Sequence, residues 1–169
     1  PADYLRAVRI NDGQTIKWLG AKVRRDVKID SAAFVNLANN KEFIKSLGLN
    51  ASTLEGYLFS KTYKLYENTS PEEALQLFYK GFTDFFVDSL KQRAKKIGFT
   101  VHQVLTLASI IKGETNQADE MPTISAVYHN RLRIGMSLQA DPTIQYLLPG
   151  GWRRLTYADL KIDSPYNTY

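Results

Sequence analysis

Between Ala74 and Leu90 the chain carries Leu75, Leu77, Phe78, Phe82, Phe85, Phe86 and Leu90, spaced so that a helix is apolar over much of its circumference. Such a helix is poorly suited to a surface, because each large apolar side chain left in water forgoes roughly 1.5–3 kcal/mol of burial. It has to be wrapped by other elements, so the fold is expected to be built around it. Its start is written locally. Ser70 can cap, Pro71 suits the first helical position, and Glu73 completes a capping box. The spacing predicts a helix to about Lys96, ended by Gly98. With 169 residues and 44% hydrophobic content, the chain can bury that helix as one domain, or one domain with a small lobe.

Around this centre the pattern reads as α+β, predominantly helical with a few short strands. Residues 3–10 read as a strand and Asn11-Asp12-Gly13 as a turn. Ile16, Leu19 and Val23 recur at helical spacing between Gln14 and Arg25. Asp30-Ser31 can cap a short helix carrying Phe34, Val35 and Leu37, and another is expected over 41–47, stopped by Gly48. The aromatic run 55–66, EGYLFSKTYKLY, favours extended structure. Its aromatics suit a core, or a cleft in which sugar rings stack. Thr100 and Gln103 repeat the capping pattern and open a helix ending near Glu114. The next helix follows Glu120-Met121-Pro122, turns Ile124, Val127, Tyr128, Leu132 and Ile134 inward, and closes at Gly135. Pro142 disfavours a helical Asp141, so the chain leaves the helix over 139–142. Pro149-Gly150-Gly151 reads as a loop, and 155–160 as a short helix capped by Thr156. By organisation, 1–50 are expected to be scaffold and 51–169 the core that carries the chemistry.

Composition excludes several classes. There is no cysteine, hence no disulfide, thiolate chemistry or cysteine-based zinc site. No run approaches 18 apolar residues, so no segment of this chain is expected to span a membrane. Two histidines, His102 and His129, argue against a metal centre; no metal and no cofactor are expected. The net charge of +5 comes from 22 basic residues interleaved with 17 acids. The clusters Lys22/Arg24/Arg25 and Lys91/Arg93/Lys95/Lys96 read as solvated helix faces rather than a nucleic-acid footprint, and no nucleic-acid partner is expected.

One acid stands out. Stepping 100° per residue from Val104 places Leu107, Ala108, Ile111 and Glu114 on one side of a helix. A carboxylate that continues an apolar face must be paired, hydrogen-bonded or protonated. Glu114 is therefore either the rim partner of an arginine or a functional acid. Gly113 beside it costs about 1 kcal/mol relative to alanine in a helix interior; it admits a close neighbour or marks a fraying end. Other polar residues carry paired readings. Asp141 can be a second carboxylate or a helix cap. Glu55 can orient a site or pair with a lysine. Asn130, Gln139 and Asn167 suit sugar hydroxyl and acetamido groups, or buried loop backbone. Arg131 can meet substrate carboxylates, or pair with Glu120 or Asp141. Tyr146 and Tyr166 can stack on sugars or fill core.

The run LASIIKGET (107–115), then MPTISAVYHNRLRIGMSLQADPTIQY (121–146) and SPYNTY (164–169), resembles the MltG (YceG-like) endolytic murein transglycosylases. EGYLFSKTY (55–63) resembles the family's EGYLFPDTY segment, and RINDGQT (9–15) its IPEG-x-T start. The matching blocks span roughly 8–169. The resemblance implies an enzyme of the bacterial cell envelope, acting on the outer side of the inner membrane and anchored there by an N-terminal helix lying outside this chain. It implies endolytic cleavage of nascent peptidoglycan strands between MurNAc and GlcNAc, leaving 1,6-anhydro-MurNAc ends. Peptidoglycan synthases are the implied protein partners. Glu114 maps onto the catalytic acid of the family's E-x-E-T motif. Asn130, Arg131, Gln139, Asp141, Thr143, Tyr166, Asn167 and Thr168 map onto its further polar positions, and Glu55 and Tyr146 complete the expected substrate-binding set. Lys112 stands where the family has the first Glu of that motif, and Ser60-Lys61 where it has Pro-Asp. The family's segment after YNTY is also expected beyond this chain, so the core is read as C-terminally incomplete.

One carboxylate suffices for such chemistry. Hydrolytic glycosidases use two, one of them to activate or replace water. Here the muramic C6 hydroxyl attacks C1 of its own ring, which removes the need for a second positioned reactant. A single Glu can protonate the leaving oxygen and then accept the hydroxyl proton, provided its surroundings raise its pKa. The rival reading is a non-catalytic glycan-binding or scaffold module of the elongation machinery.

Overall fold

A computed structural model describes residues 4–149 and 152–169 and divides the chain into two compact units, Pro1–Leu105 and Thr106–Tyr169. The first begins with β1 (Leu5–Arg9), which pairs antiparallel with β2 (Thr62–Tyr66) in the register Val8 to Tyr63. Asp12 and Gly13 turn the chain, Gly13 at φ +77°. Thr15 then caps α1 (Ile16–Val27), accepting from the Trp18 amide. The inward row of α1 is Ile16, Leu19, Val23 and Val27, as the spacing predicts. Asp30 caps α2 (Ser31–Ala38) through the Ala33 amide, and Asn40 caps α3 (Lys41–Ser46). Gly48 follows at φ +76°.

The central helix starts as its sequence says and then departs from it. At α4 (Pro71–Phe85) both halves of the Ser70/Glu73 capping box are formed. The chain does not continue to Lys96 as one helix. It breaks at Phe86–Val87 and resumes as α5 (Asp88–Lys96), whose start has no side-chain cap. The apolar residues cover too wide an arc for one straight helix to bury them all. The break seats Phe86 in the core and leaves Phe85, which stacks on Phe59 at 4.6 Å, largely exposed. The aromatic run is also less extended than expected: only Thr62–Tyr66 is strand, and 55–61 is turn and bend. Its rings still serve the core. Tyr57 meets Phe82 edge-on at 5.4 Å, and Tyr63 lies 4.7 Å from Phe78.

Thr100 and Gln103 form their reciprocal bonds (2.8 and 3.1 Å) and open α6 (Val101–Glu114), in which the second unit begins. Next come α7 (Met121–Arg133), α8 (Asp141–Leu147) and a 3-10 turn at Asp159–Lys161, shorter than the helix expected there. Of the expected loop at 149–151, Gly150 and Gly151 lie outside the described residues. The α7 face is narrower than its apolar pattern suggests. Ile124, Tyr128 and Arg131 form its inward row, while Val127, Leu132 and Ile134 are exposed. Arg131 takes the inward position to reach the Leu138 carbonyl, so Val127 and Leu132, about 60° to either side, turn outward.

Candidate active site

The end of α6 carries the acid. Leu107 and Ile110 define the buried side of the helix in this unit, and Glu114 shares that side by angle. Because it occupies the last position of α6, its carboxylate emerges from the apolar row and is exposed. The expectation of an acid enclosed by an apolar arc is corrected accordingly: the row ends one turn too early to enclose it. No arginine pairs with Glu114 among the described residues. Its partner is a phenol, the Tyr128 hydroxyl donating to Oε1 at 2.7 Å. Tyr128 is the buried residue of α7. Burial, and then the hydrogen bond and charge of Glu114, push its pKa well above the ordinary phenol value, so Tyr128 remains a proton donor at any physiological pH.

Gly113 admits a close neighbour. A Cβ there would lie 2.5 Å from Cβ of Pro142 and 2.8 Å from its Cγ, with the Trp152 ring edge at 3.7 Å. The missing side chain lets the start of α8 press against the end of α6. Asp141 opens α8, although Pro142 follows it, and the chain reaches that start through Gln139 at φ +51°. Asp141 does not cap the helix. Ala140 is the cap residue, without a side-chain bond, and the Asp141 carboxylate accepts instead from the Tyr169 hydroxyl. Burial, this bond and the nearby charges of Asp141 and Glu114 push the Tyr169 phenol up to about 12, against the opposing charge of Arg131.

The last residues return to the same place. Thr168 accepts the Gln139 amide on its carbonyl (2.8 Å) and the Ala140 amide on its hydroxyl (3.0 Å), and that hydroxyl lies 2.9 Å from Thr143 Oγ1. Thr143 also donates to the Ala140 carbonyl at 2.7 Å. Asn167 donates to the Leu160 and Ile162 carbonyls and accepts the Tyr169 amide, so its amide group serves loop backbone. Tyr146 and Tyr166 meet edge-on at 5.5 Å, both half-exposed. Arg131 forms neither expected ion pair; Glu120 accepts from Thr115 at 2.6 Å instead. Asn130 is exposed and accepts from Arg133 at 3.2 Å. Lys112 donates to Asn116 at 2.9 Å; two residues before Glu114, it projects about 200° away around the helix.

Of the expected site residues, the structure thus ties Gln139, Asp141, Thr143, Asn167 and Thr168 into one network beside Tyr146 and Tyr166. Glu55 belongs to the first unit. There both its oxygens accept the Ile16 amide, at 3.1 and 3.2 Å, so it holds the first turn of α1. Burial raises its pKa against that bond. Sequence reasoning missed Tyr128 and Tyr169 as carboxylate partners. Tyr128 stood in the inward row but carried no polar signal, and Tyr169 pairs across 28 residues.

A model of the YceG-like family matches residues 2–169. The chain belongs to the YceG-like family. It is 37% identical to the endolytic murein transglycosylase of Bacillus subtilis (strain 168), over 98% of this chain and 50% of the relative. Against that of Streptococcus pneumoniae serotype 2 the identity is 31%, over 84% of this chain and 28% of the relative. The chain therefore spans half the length of one of these curated relatives and less of the other. A solved YceG-like protein from Listeria monocytogenes superposes with a TM-score of 0.85 at 31% identity, covering 96% of this chain and 59% of that one. YceG-like membership accounts for the helical architecture with its two-stranded sheet. No helix among the described residues is long and apolar enough to cross a membrane.

Proposed function

We propose that this YceG-like chain carries the catalytic core of an endolytic murein transglycosylase, with Glu114 as its acid and then its base. The observation that carries the reading is the setting of Glu114. Its carboxylate is exposed at a helix end, held by one phenol through Oε1 and free of any ion pair among the described residues. The names borne by relatives that match most of the chain support the choice of substrate. In the reaction, Glu114 gives its proton to the glycosidic oxygen as the bond from MurNAc C1 breaks. The C6 hydroxyl of the same MurNAc then bonds to C1, and its proton passes to Glu114. Atoms balance without water, and the acid is restored. No second carboxylate is required, which suits an Asp141 engaged by Tyr169. Asn130, Arg131, Gln139, Tyr146 and Tyr166 form the substrate wall in this reading, with Thr143 and Asn167 holding its backbone in place. Glu55 supports the fold of the other unit. The place of action is the cell envelope, outside the inner membrane, with peptidoglycan synthases as partners.

Mass analysis of products from uncrosslinked glycan strands tests the proposal. Anhydro-ended fragments are expected, and replacing Glu114→Gln should lower turnover by about 10²-fold or more, the scale of general acid–base catalysis. Reducing ends in place of anhydro ends would mean hydrolysis. Strand binding without cleavage by the intact protein would favour a glycan-binding module.

A further inference from the structure

Tyr128 is the group that touches the acid, and no role has been assigned to it. Its ring is buried and its hydroxyl lies 2.7 Å from Glu114 Oε1. The shift of its pKa to well above the ordinary phenol value keeps the hydroxyl protonated. It can therefore neither take a proton from substrate nor abandon the donor role. A carboxyl group has two oxygens, and an oxygen that already accepts a strong hydrogen bond is the poorer place for the acid's own proton. Oε2 has no hydrogen-bond partner among the described residues. Glu114 is the last residue of α6 and its side chain is exposed, so few neighbours pack against it. The phenol is what restrains it.

We infer that Tyr128 is a positioning residue that fixes the Glu114 carboxyl and directs its transferable proton to Oε2, the oxygen turned to the glycosidic bond. The inference rests on the reading of Glu114 as the acid. Without the hydroxyl the carboxyl rotates freely and the proton is shared between both oxygens, so a smaller share of bound complexes is poised for transfer. The loss is expected on turnover and not on strand binding, because the Tyr128 ring is buried and its hydroxyl is already engaged by Glu114.

The test is Tyr128→Phe in the intact protein, which keeps the ring and removes only the hydroxyl. A fall in kcat of roughly 10–100-fold is expected, the scale on which a misplaced catalytic group costs rate, with KM within about twofold of the wild type. Equal kcat in the two proteins overturns the inference, and so does a loss carried by KM. Glu114→Gln run alongside separates the two claims. An inactive Gln variant with a fully active Phe variant removes the role of Tyr128 alone, whereas an active Gln variant removes the acid assignment beneath it. A readout independent of turnover is a slowly exchanging hydroxyl proton in the NMR spectrum. It should vanish in Tyr128→Phe and move in Glu114→Gln; its absence from the wild type also overturns the inference.

Discussion

The two units are held together by different physics. In the first, side chains meet side chains. Phe34, Phe78, Tyr63, Tyr57 and Phe82 are nearly inaccessible and touch ring to ring, with Leu19, Val23, Ile44, Leu54 and Leu75 filled in around them. In the second, side chains meet backbone. Asn167 serves two carbonyls, Thr168 an amide, Arg131 a carbonyl, and Gln145 both the amide and the carbonyl of Arg153. Asp159 anchors the segment after α8 by gripping Arg153 and Thr156, and that guanidinium holds its carboxyl well below the usual carboxylate range. Apolar burial there is sparse, and Val127, Leu132, Ile134 and Met136 are open to solvent. The difference has a functional logic. Apolar packing is strong but non-directional, whereas satisfied polar networks contribute little net energy and fix orientation. If the second unit acts as proposed, it must hold carboxylates, phenols and amides at set positions, and it is better closed by the second means.

The strongest challenge to this contrast is Phe78→Ala. With the ring fully buried against Phe34 and Tyr63, it is expected to cost about 3–5 kcal/mol in denaturant unfolding. A loss near 1 kcal/mol would mean that the first unit is not governed by its aromatic core. Thr168→Val probes the second unit. It leaves the Ala140 amide without its partner, while the Thr143 hydroxyl keeps its bond to the Ala140 carbonyl, at roughly 1–3 kcal/mol for a buried polar group left unpaired. Hydrogen exchange should quicken over 139–147 while 16–38 stay protected; uniform quickening would show that the network has no local character. The smallest effect on stability belongs to Gly113→Ala. The crowding with Pro142 costs on the order of 1–3 kcal/mol, offset by about 1 kcal/mol of helix propensity. Turnover should nonetheless fall, since α8 and Asp141 must move away from the acid; an unchanged rate would show that this close approach is not needed.

The residues say in advance how these units can be read. Asp30, Ser70, Thr100 and Gly48 act within four positions of themselves, and each does in the structure what its neighbours predict. Glu114 was legible as an acid out of place, and the order of motifs pointed to the family. Its exposure was not legible, because periodicity gives an angle around a helix and says nothing of where the apolar neighbours stop. The break at Phe86 was hidden for a related reason. A wide apolar arc is compatible with one buried helix or two, and the choice depends on which partners the rings find.

By itself, then, the chain determined its local elements, their caps and turns, and the identity of its one conspicuous acid, since these follow from interactions spanning a few residues. Only the tertiary structure decided that Gly113 is small for the sake of Pro142, that the last residues come back to pair with Gln139–Thr143, and that Glu114 is held by a phenol on the next helix. Those pairings join residues 14 to 29 positions apart. Contacts at that range exist only once the helices between them have been packed, and no local pattern encodes the packing.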